Sequence, residues 1–147
     1  MNDDFNEVGK GMTAARSLGQ AKGEPPRLSW RAHVHANNEQ SAYRTLNRLS
    51  DLLNEEVEVQ SVKRNEKFRE SFVLSFWTQV PDAAVDAVVL HILLVCQRVA
   101  SGWTVTGPII HDAESWEFDL VCPEGLGRHF RVSGVFWISV SFRMYPN

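Results

Sequence analysis

Apolar and polar side chains alternate along residues 28–36, LSWRAHVHA, which predicts a strand with one buried face. In the next segment, NNEQSAYRTLNRLSDLLNEE, apolar positions recur every three or four residues, which predicts an amphipathic helix. Asn37 and Gln40 have the spacing of a capping box at its start. Segments 56–64 and 67–80 alternate again on either side of a short polar turn, so they predict a hairpin.

The second half of the chain predicts one more helix and then strands. Residues 81–102 begin with Pro-Asp, end at a glycine and are apolar nearly all round, so we expect a helix covered on more than one side. Segments 103–111, 116–122 and 134–144 have the composition of strands.

The order of these elements predicts an α+β fold. It is a ferredoxin-like β-α-β-β-α-β core with extra C-terminal antiparallel strands and with both helices on one face of the sheet. Whether the last strands extend the first sheet or form a second one stays open.

A single domain suits a chain of 147 residues that is 44% apolar. Residues 1–27 show no hydrophobic period and predict a flexible N-terminal arm, followed by one α+β domain over 28–147. The N-terminus lacks the apolar core of a secretory signal, and the most apolar run, 83–96, is too short and too polar to cross a bilayer. We therefore expect a cytoplasmic protein with no membrane partner, and we interpret Cys96 and Cys122 as buried thiols.

Strand alternation also assigns side chains to the sheet face that the helices leave uncovered. We expect a polar face that contains two tryptophans, a composition typical of protein interfaces. A plain solvated face and the contact of a homodimer are alternatives. The predicted members are Ser29, Arg31, His33, His35, Glu56, Glu58, Gln60, Val73, Ser75, Trp77, Glu117, Asp119, Trp137, Ser139, Ser141 and Arg143.

His33 and His35 are the first candidates for chemistry because they lie two apart on one strand, about 6.6 Å between Cα atoms. Two imidazoles can supply two ligands to a zinc ion, but zinc needs a third or fourth ligand. Candidates for these further ligands are Glu117, Asp119 and His111. The spacing favours none of them. We therefore expect surface imidazoles and no metal, and we keep a His33/His35 site as the alternative.

Other catalytic patterns are weak. Glu117 and Asp119 form the nearest approach to a carboxylate pair, but same-face acids two apart are common in solvated sheets. The connector PEGLGRH has no strand–loop–helix setting for a phosphate loop, and no G-x-S-x-G elbow occurs. The sequence therefore favours a protein that is not an enzyme and needs no cofactor.

Nucleic-acid binding deserves comparison because RNA-recognition domains share the β-α-β-β-α-β plan and stack bases on sheet aromatics. Here the same face carries several acids, the net charge is −3, and no RNP-like string is present. We expect no nucleic-acid partner.

Acidic residues concentrate in DAESWEFDLVCPE, residues 112–124, which holds five acids and no lysine or arginine. Such a patch with an aromatic residue suits docking on a basic protein surface. A solubilising acidic loop is the plainer alternative. The contact candidates are Asp112, Glu114, Trp116, Glu117, Asp119 and Glu124, followed by Glu56, Glu58, Trp77 and Trp137.

These features resemble the small cytoplasmic immunity proteins of bacterial polymorphic-toxin and contact-dependent inhibition systems. The likeness rests on size, an α+β body, the tryptophan-bearing strands SWEFDLV and SGVFWISVSF, and acidic clusters without a catalytic motif. It implies an inhibitor (antitoxin) that binds one cognate toxin domain, often a nucleic-acid enzyme, and occludes its active site. The alternatives are a small dimeric ferredoxin-like enzyme or ligand-binding protein that uses His33 and His35, and a module that dimerises through its sheet.

Overall fold

The computed structural model describes residues 26–68 and 70–145 of the chain. Ten elements follow one another: β1 (Arg27–His35), α1 (Glu39–Leu53), β2 (Glu58–Arg64), β3 (Ser71–Gln79), α2 (Val85–Gln97), β4 (Ala100–Ser101), β5 (Thr104–Asp112), β6 (Ser115–Pro123), β7 (His129–Phe130) and β8 (Val135–Met144). The two predicted helices and all the predicted strands are present. Of the predicted arm, residues 1–25 lie outside the described residues.

Six strands form one antiparallel sheet in the order β2-β3-β1-β8-β6-β5, while β4 and β7 pair in a separate ribbon. The α+β class and the antiparallel sheet are confirmed, and the C-terminal strands extend the first sheet. The ferredoxin-like topology is not confirmed. In that fold the strand that follows the second helix pairs with β1, whereas here β8 takes that position.

The composition of β5 and β8 explains this order. Pro108 has no N–H to donate to a neighbouring strand, so a strand that contains it belongs at a sheet edge, and β5 is exposed along its whole length. In β8, Ile138, Val140 and Phe142 supply three side chains that are at most 1% exposed. Burying them in the centre of the sheet contributes about 1.5–3 kcal/mol each.

A single core fills the space between the helices and one face of the sheet. Alternate residues of the four inner strands are buried, and they share this core with one stripe of each helix. In β1 the buried residues are Leu28, Trp30, Ala32 and Val34, and the residues between them face the other way. Within residues 26–68 and 70–145, neither helix lies on the opposite face of the sheet.

The helix boundaries differ slightly from expectation. Asn38, one residue later than predicted, caps α1: its Oδ1 accepts a hydrogen bond from the Ser41 amide at 2.8 Å. The second helix begins only at Val85, and its outer residues Leu90 and Leu94 remain exposed. The expectation that α2 is covered on more than one side was therefore wrong for the described residues.

Both cysteines are free and buried. Burial raises the pKa of the Cys96 thiol, and the neighbouring Cys122 raises it further. The pKa of Cys122 is also raised by burial, against a smaller opposing effect of Arg128. Thiols in this state are poor nucleophiles, which agrees with a packing role. Neither described helix has the length and apolar character needed to cross a membrane.

Candidate protein-binding face

The side of the sheet that neither described helix covers, here called the open face, is organised in rows that run across the strands. One row joins Glu58, Trp77, Ser29, Ser141, Asp119 and Thr106. The next joins Ser61, Ser75, Arg31, Ser139, Val121 and Thr104, and a third joins Lys63, Val73, His33, Trp137 and Pro123. Serines form much of the middle of the face, so the larger tryptophan, histidine and arginine side chains surround a low, hydrogen-bonding floor.

One predicted member of this face is displaced. The pairing of β2 with β3 shifts between Val59 and Ser61, so that Ser61 instead of Gln60 lies opposite Ser75. Such a bulge inserts one unpaired residue and reverses the alternation beyond it. The sequence does not indicate this bulge, because polar residues occur on both faces of β2 at this point.

Trp77 lies at one end of the open face and is held in place by its neighbours. The guanidinium carbon of Arg27 lies 3.9 Å from the centre of the Trp77 ring, and Arg27 Nη1 lies 3.1 Å from Glu58 Oε1. Glu56 lines the same shallow depression. The predicted residues Glu56, Glu58 and Trp77 are thus brought together, but Arg27 neutralises part of their charge.

Trp137 lies toward the other end, in an aromatic cluster that the sequence analysis missed in part. The pairing of β1 with β8 shifts at His33/Val34, and Phe136 joins Trp137 on the open face. His33 contacts the Trp137 ring edge-on at 4.8 Å between centroids, and His35 stacks on Phe136 at 4.3 Å with an interplanar angle of 24°. The regular register thus pairs His33 with Trp137, and the bulge brings Phe136 to His35.

These contacts set the electrostatics of His33. Burial lowers the pKa of the His33 imidazole below its ordinary value, and the positive charge of Arg31 lowers it further. The ring is therefore neutral at pH 7. No group of three or more histidine, cysteine, aspartate or glutamate side chains within residues 26–68 and 70–145 is arranged to hold a metal ion. The alternative ligands Glu117 and His111 instead contact each other, with His111 Nε2 2.8 Å from Glu117 Oε2.

The predicted acidic patch is partly neutralised within the sheet. Arg143 lies between Glu117 and Asp119, with Nη1 2.9 Å from Asp119 Oδ1 and Nε 3.8 Å from Glu117 Oε1. Cross-strand pairing explains this contact, because Arg143 lies directly opposite Glu117 in β8. Both acids face outward as predicted, but Arg143 compensates part of their charge within the sheet.

Trp116 was wrongly assigned as a contact residue. It lies on the helix side of β6, is 3% exposed, and packs against Phe142 with ring centroids 4.8 Å apart. Its position follows from alternation, because its neighbours Ser115 and Glu117 face the other way. The indole is part of the core.

The remaining predicted acids lie at opposite ends of the sheet. Asp112 ends β5 and Glu114 lies in the turn that follows, where Asp112 Oδ1 accepts a hydrogen bond from the Glu114 amide at 2.8 Å. Glu124 follows the other end of β6 and is exposed. The described residues offer no basic partner to these three carboxylates, so the uncompensated negative charge lies at the two ends of the sheet instead of its middle.

No family model, curated protein or solved structure matches this chain.

Proposed function

We propose that this protein is a non-enzymatic inhibitor of the immunity type, which binds a cognate toxin domain with its open face and occludes the active site. The observation that carries the proposal is a sheet face that neither described helix covers, with two tryptophans held by contacts with Arg27 and His33. Tryptophans held in one conformation lose little entropy on binding, and they are the residues that most often dominate interface energies.

The size of the face supports the same function. Six strands spaced about 4.8 Å apart and about nine residues long give roughly 700 Å², close to the roughly 800 Å² that each partner contributes to a standard interface. The serine-rich middle would contribute hydrogen bonds, and the tryptophans would fill recesses of the partner. A domain of this kind would act in the cytoplasm, where such a toxin reaches its target.

The charges favour a partner with a basic surface. Asp112 and Glu114 at one end and Glu124 at the other extend acidic side chains beyond the balanced middle of the face. Enzymes that act on nucleic acids present basic clefts to phosphate, so two separated acidic groups suit the rims of such a cleft. This supports a toxin that acts on nucleic acid, with electrostatics contributing chiefly to the association rate.

The cellular test uses the reading frame beside the gene for this chain. The neighbour's product is expressed alone and together with this protein, and we expect growth arrest in the first case and restored growth in the second. A neighbour that arrests growth equally in both cases would contradict the proposal, and so would a purified pair that does not associate.

A variant pair then tests the face itself. Trp77→Ala combined with Trp137→Ala is expected to weaken binding at least about 100-fold, because each side chain has the character of an interface hot spot. Tyr43→Ala is the matched control, since Tyr43 is an exposed aromatic residue on α1, on the opposite side of the domain. The proposal fails if the double variant retains binding, or if Tyr43→Ala weakens binding as much as the double variant does.

A further inference from the structure

A concave pocket lies at the end of the sheet where β1 finishes and β3 begins. Its volume is about 580 Å³, within the roughly 300–1,000 Å³ typical of ligand pockets. It is lined by His35, Phe68, Glu70, Ser71, Glu124 and Phe136. Of these residues, only Glu124 belongs to the contact candidates predicted from the sequence.

Aromatic rings supply the apolar part of the pocket. The stacked rings of His35 and Phe136 contribute a broad surface, because the β-bulge turns Phe136 out of the core. Phe68 also lines the pocket while 63% of its surface is exposed. Electron-rich ring faces attract cations, and this attraction strengthens as the cation loses water.

Two carboxylates supply the charge. Glu70 comes from the turn before β3 and Glu124 from the residue after β6, so two distant segments of the chain place acids around one space. Within the described part of the chain, neither carboxylate has an ion-pair partner, and the lining includes no lysine or arginine. These two carboxylates therefore attract a cation and repel an anion.

A planar cation fits this combination better than a compact one. A guanidinium group stacks on aromatic rings, gives up water more readily than an ammonium group, and forms paired hydrogen bonds with carboxylates. A neutral ligand of the same shape would cover the two carboxylates without compensating their charge.

We infer that this pocket binds the guanidinium group of an arginine side chain presented by a protein partner. The binding of a guanidinium stands on the pocket alone, whereas the identity of the partner as the inhibited toxin rests on the proposed function. In that case the arginine is an anchor at one end of the open face, next to the aromatic cluster of Trp137.

The experiment titrates the full chain with N-acetyl-arginine methylamide and follows backbone amide and imidazole signals by NMR. We expect saturating shifts at His35 and Ser71 with a dissociation constant in the millimolar range. N-acetyl-citrulline methylamide, the neutral analogue, should leave these signals nearly unchanged. Equal shifts with both probes, or no saturable shift at the pocket, would overturn the inference whatever the outcome of the toxin experiments.

Variants separate the two parts of the pocket. Phe136→Leu keeps apolar volume and is expected to weaken arginine binding about fivefold. Glu70→Gln with Glu124→Gln keeps side-chain size and should weaken it about tenfold. Glu114→Gln, which removes an acid at the opposite end of the sheet, is the matched control and should have no effect. An effect of the control equal to that of the pocket variants would show general charge attraction and overturn the site.

A second probe distinguishes a side chain from a free small cation. Ac-Ala-Ala-Arg-Ala-Ala-NH₂ should bind at least as tightly as methylguanidine. Binding of methylguanidine alone would show that the pocket excludes an arginine carried by a chain, which overturns its role as a partner's docking site.

Discussion

Arg143 binds Asp119 at two points, with Nη1 2.9 Å from Oδ1 and Nη2 3.2 Å from Oδ2. The pair joins two neighbouring strands on the open face, and the same guanidinium approaches Glu117. A segment that is purely acidic in sequence therefore lies beside a compensating charge in the fold. Among the described residues, this region is therefore a charge-balanced network, and acids without a basic partner lie at its ends.

Replacing Arg143 with Gln tests the strength of this network. Because the groups remain partly exposed, we expect the free energy of unfolding to fall by about 1 kcal/mol or less. Chemical denaturation at low and high salt measures it, and the difference from the parent protein should shrink as salt screens the charges. A salt-independent loss above roughly 3 kcal/mol would mean that the pair behaves as a buried one.

A hydrogen bond between two buried side chains in the core gives a second prediction about stability. Trp30 Nε1 donates a hydrogen bond to Thr78 Oγ1 at 2.9 Å, and both residues are 1% exposed. Thr78→Val leaves the indole N–H without an acceptor and should lower the free energy of unfolding by about 1–3 kcal/mol. Thr106→Val on the exposed edge strand is the control, with an expected change within about 0.5 kcal/mol. Equal effects in thermal or urea unfolding would contradict the assignment.

Gly102 and Gly127 form a natural comparison. Both have positive φ, +89° and +79°, but a Cβ at Gly102 would lie 2.3 Å from the Gly127 carbonyl oxygen, whereas one at Gly127 meets nothing within 4 Å. Gly127→Ala should cost about 1–2 kcal/mol from backbone strain alone. Gly102→Ala adds a clash with backbone and should destabilise clearly more. Similar melting temperatures for the two variants would argue against this close packing.

His33 should titrate below the ordinary histidine pKa of about 6.5. Burial is the larger cause and Arg31 the smaller one, so Trp137→Ala should raise the pKa of His33 more than Arg31→Gln does. NMR titration of the imidazole protons measures both shifts. The reverse order would show that charge outweighs burial.

The same shift links stability to pH. Since the pKa of His33 is lower in the folded state, the unfolded chain binds more protons between that value and about 6.5. Stability should therefore fall as the pH drops through this window and level off below the folded pKa. His33→Gln should remove this component of the pH dependence, and an unchanged profile in that variant would assign it to another group.

Much of the architecture was predictable because local rules govern it. Alternation in β1 and β6 predicted Arg31 and Asp119 on the open face, and their neighbours Trp30 and Phe118 are buried in the core. The same rule applied to Trp116 would have identified it as a core residue, but its place in an acidic run suggested a contact role instead. Pro108 also indicates an edge strand, because it has no N–H to donate to a neighbouring strand.

Other features depend on contacts between distant segments. The pairing of β8 with β1 joins strands about 100 residues apart in sequence, and β6 is as apolar as β8, so composition alone does not select β8 as the neighbour of β1. The bulge that turns Phe136 outward arises from the mismatch of two strands more than 100 residues apart in sequence. The pocket of Glu70, Glu124 and Phe136 likewise draws on three distant segments, so spacing along the chain does not reveal it.

Blocking the open face tests the central claim most directly. Ser141 lies between Ser29 and Asp119 on that face, and Ser141→Tyr adds bulk there while keeping a residue that strands favour. The measurement is the dissociation constant of the complex with the cognate toxin domain by calorimetry, alongside the melting temperature of the variant. We predict a loss of affinity of at least about 30-fold with the fold retained. Unchanged affinity in a folded Ser141→Tyr variant would contradict binding through this face.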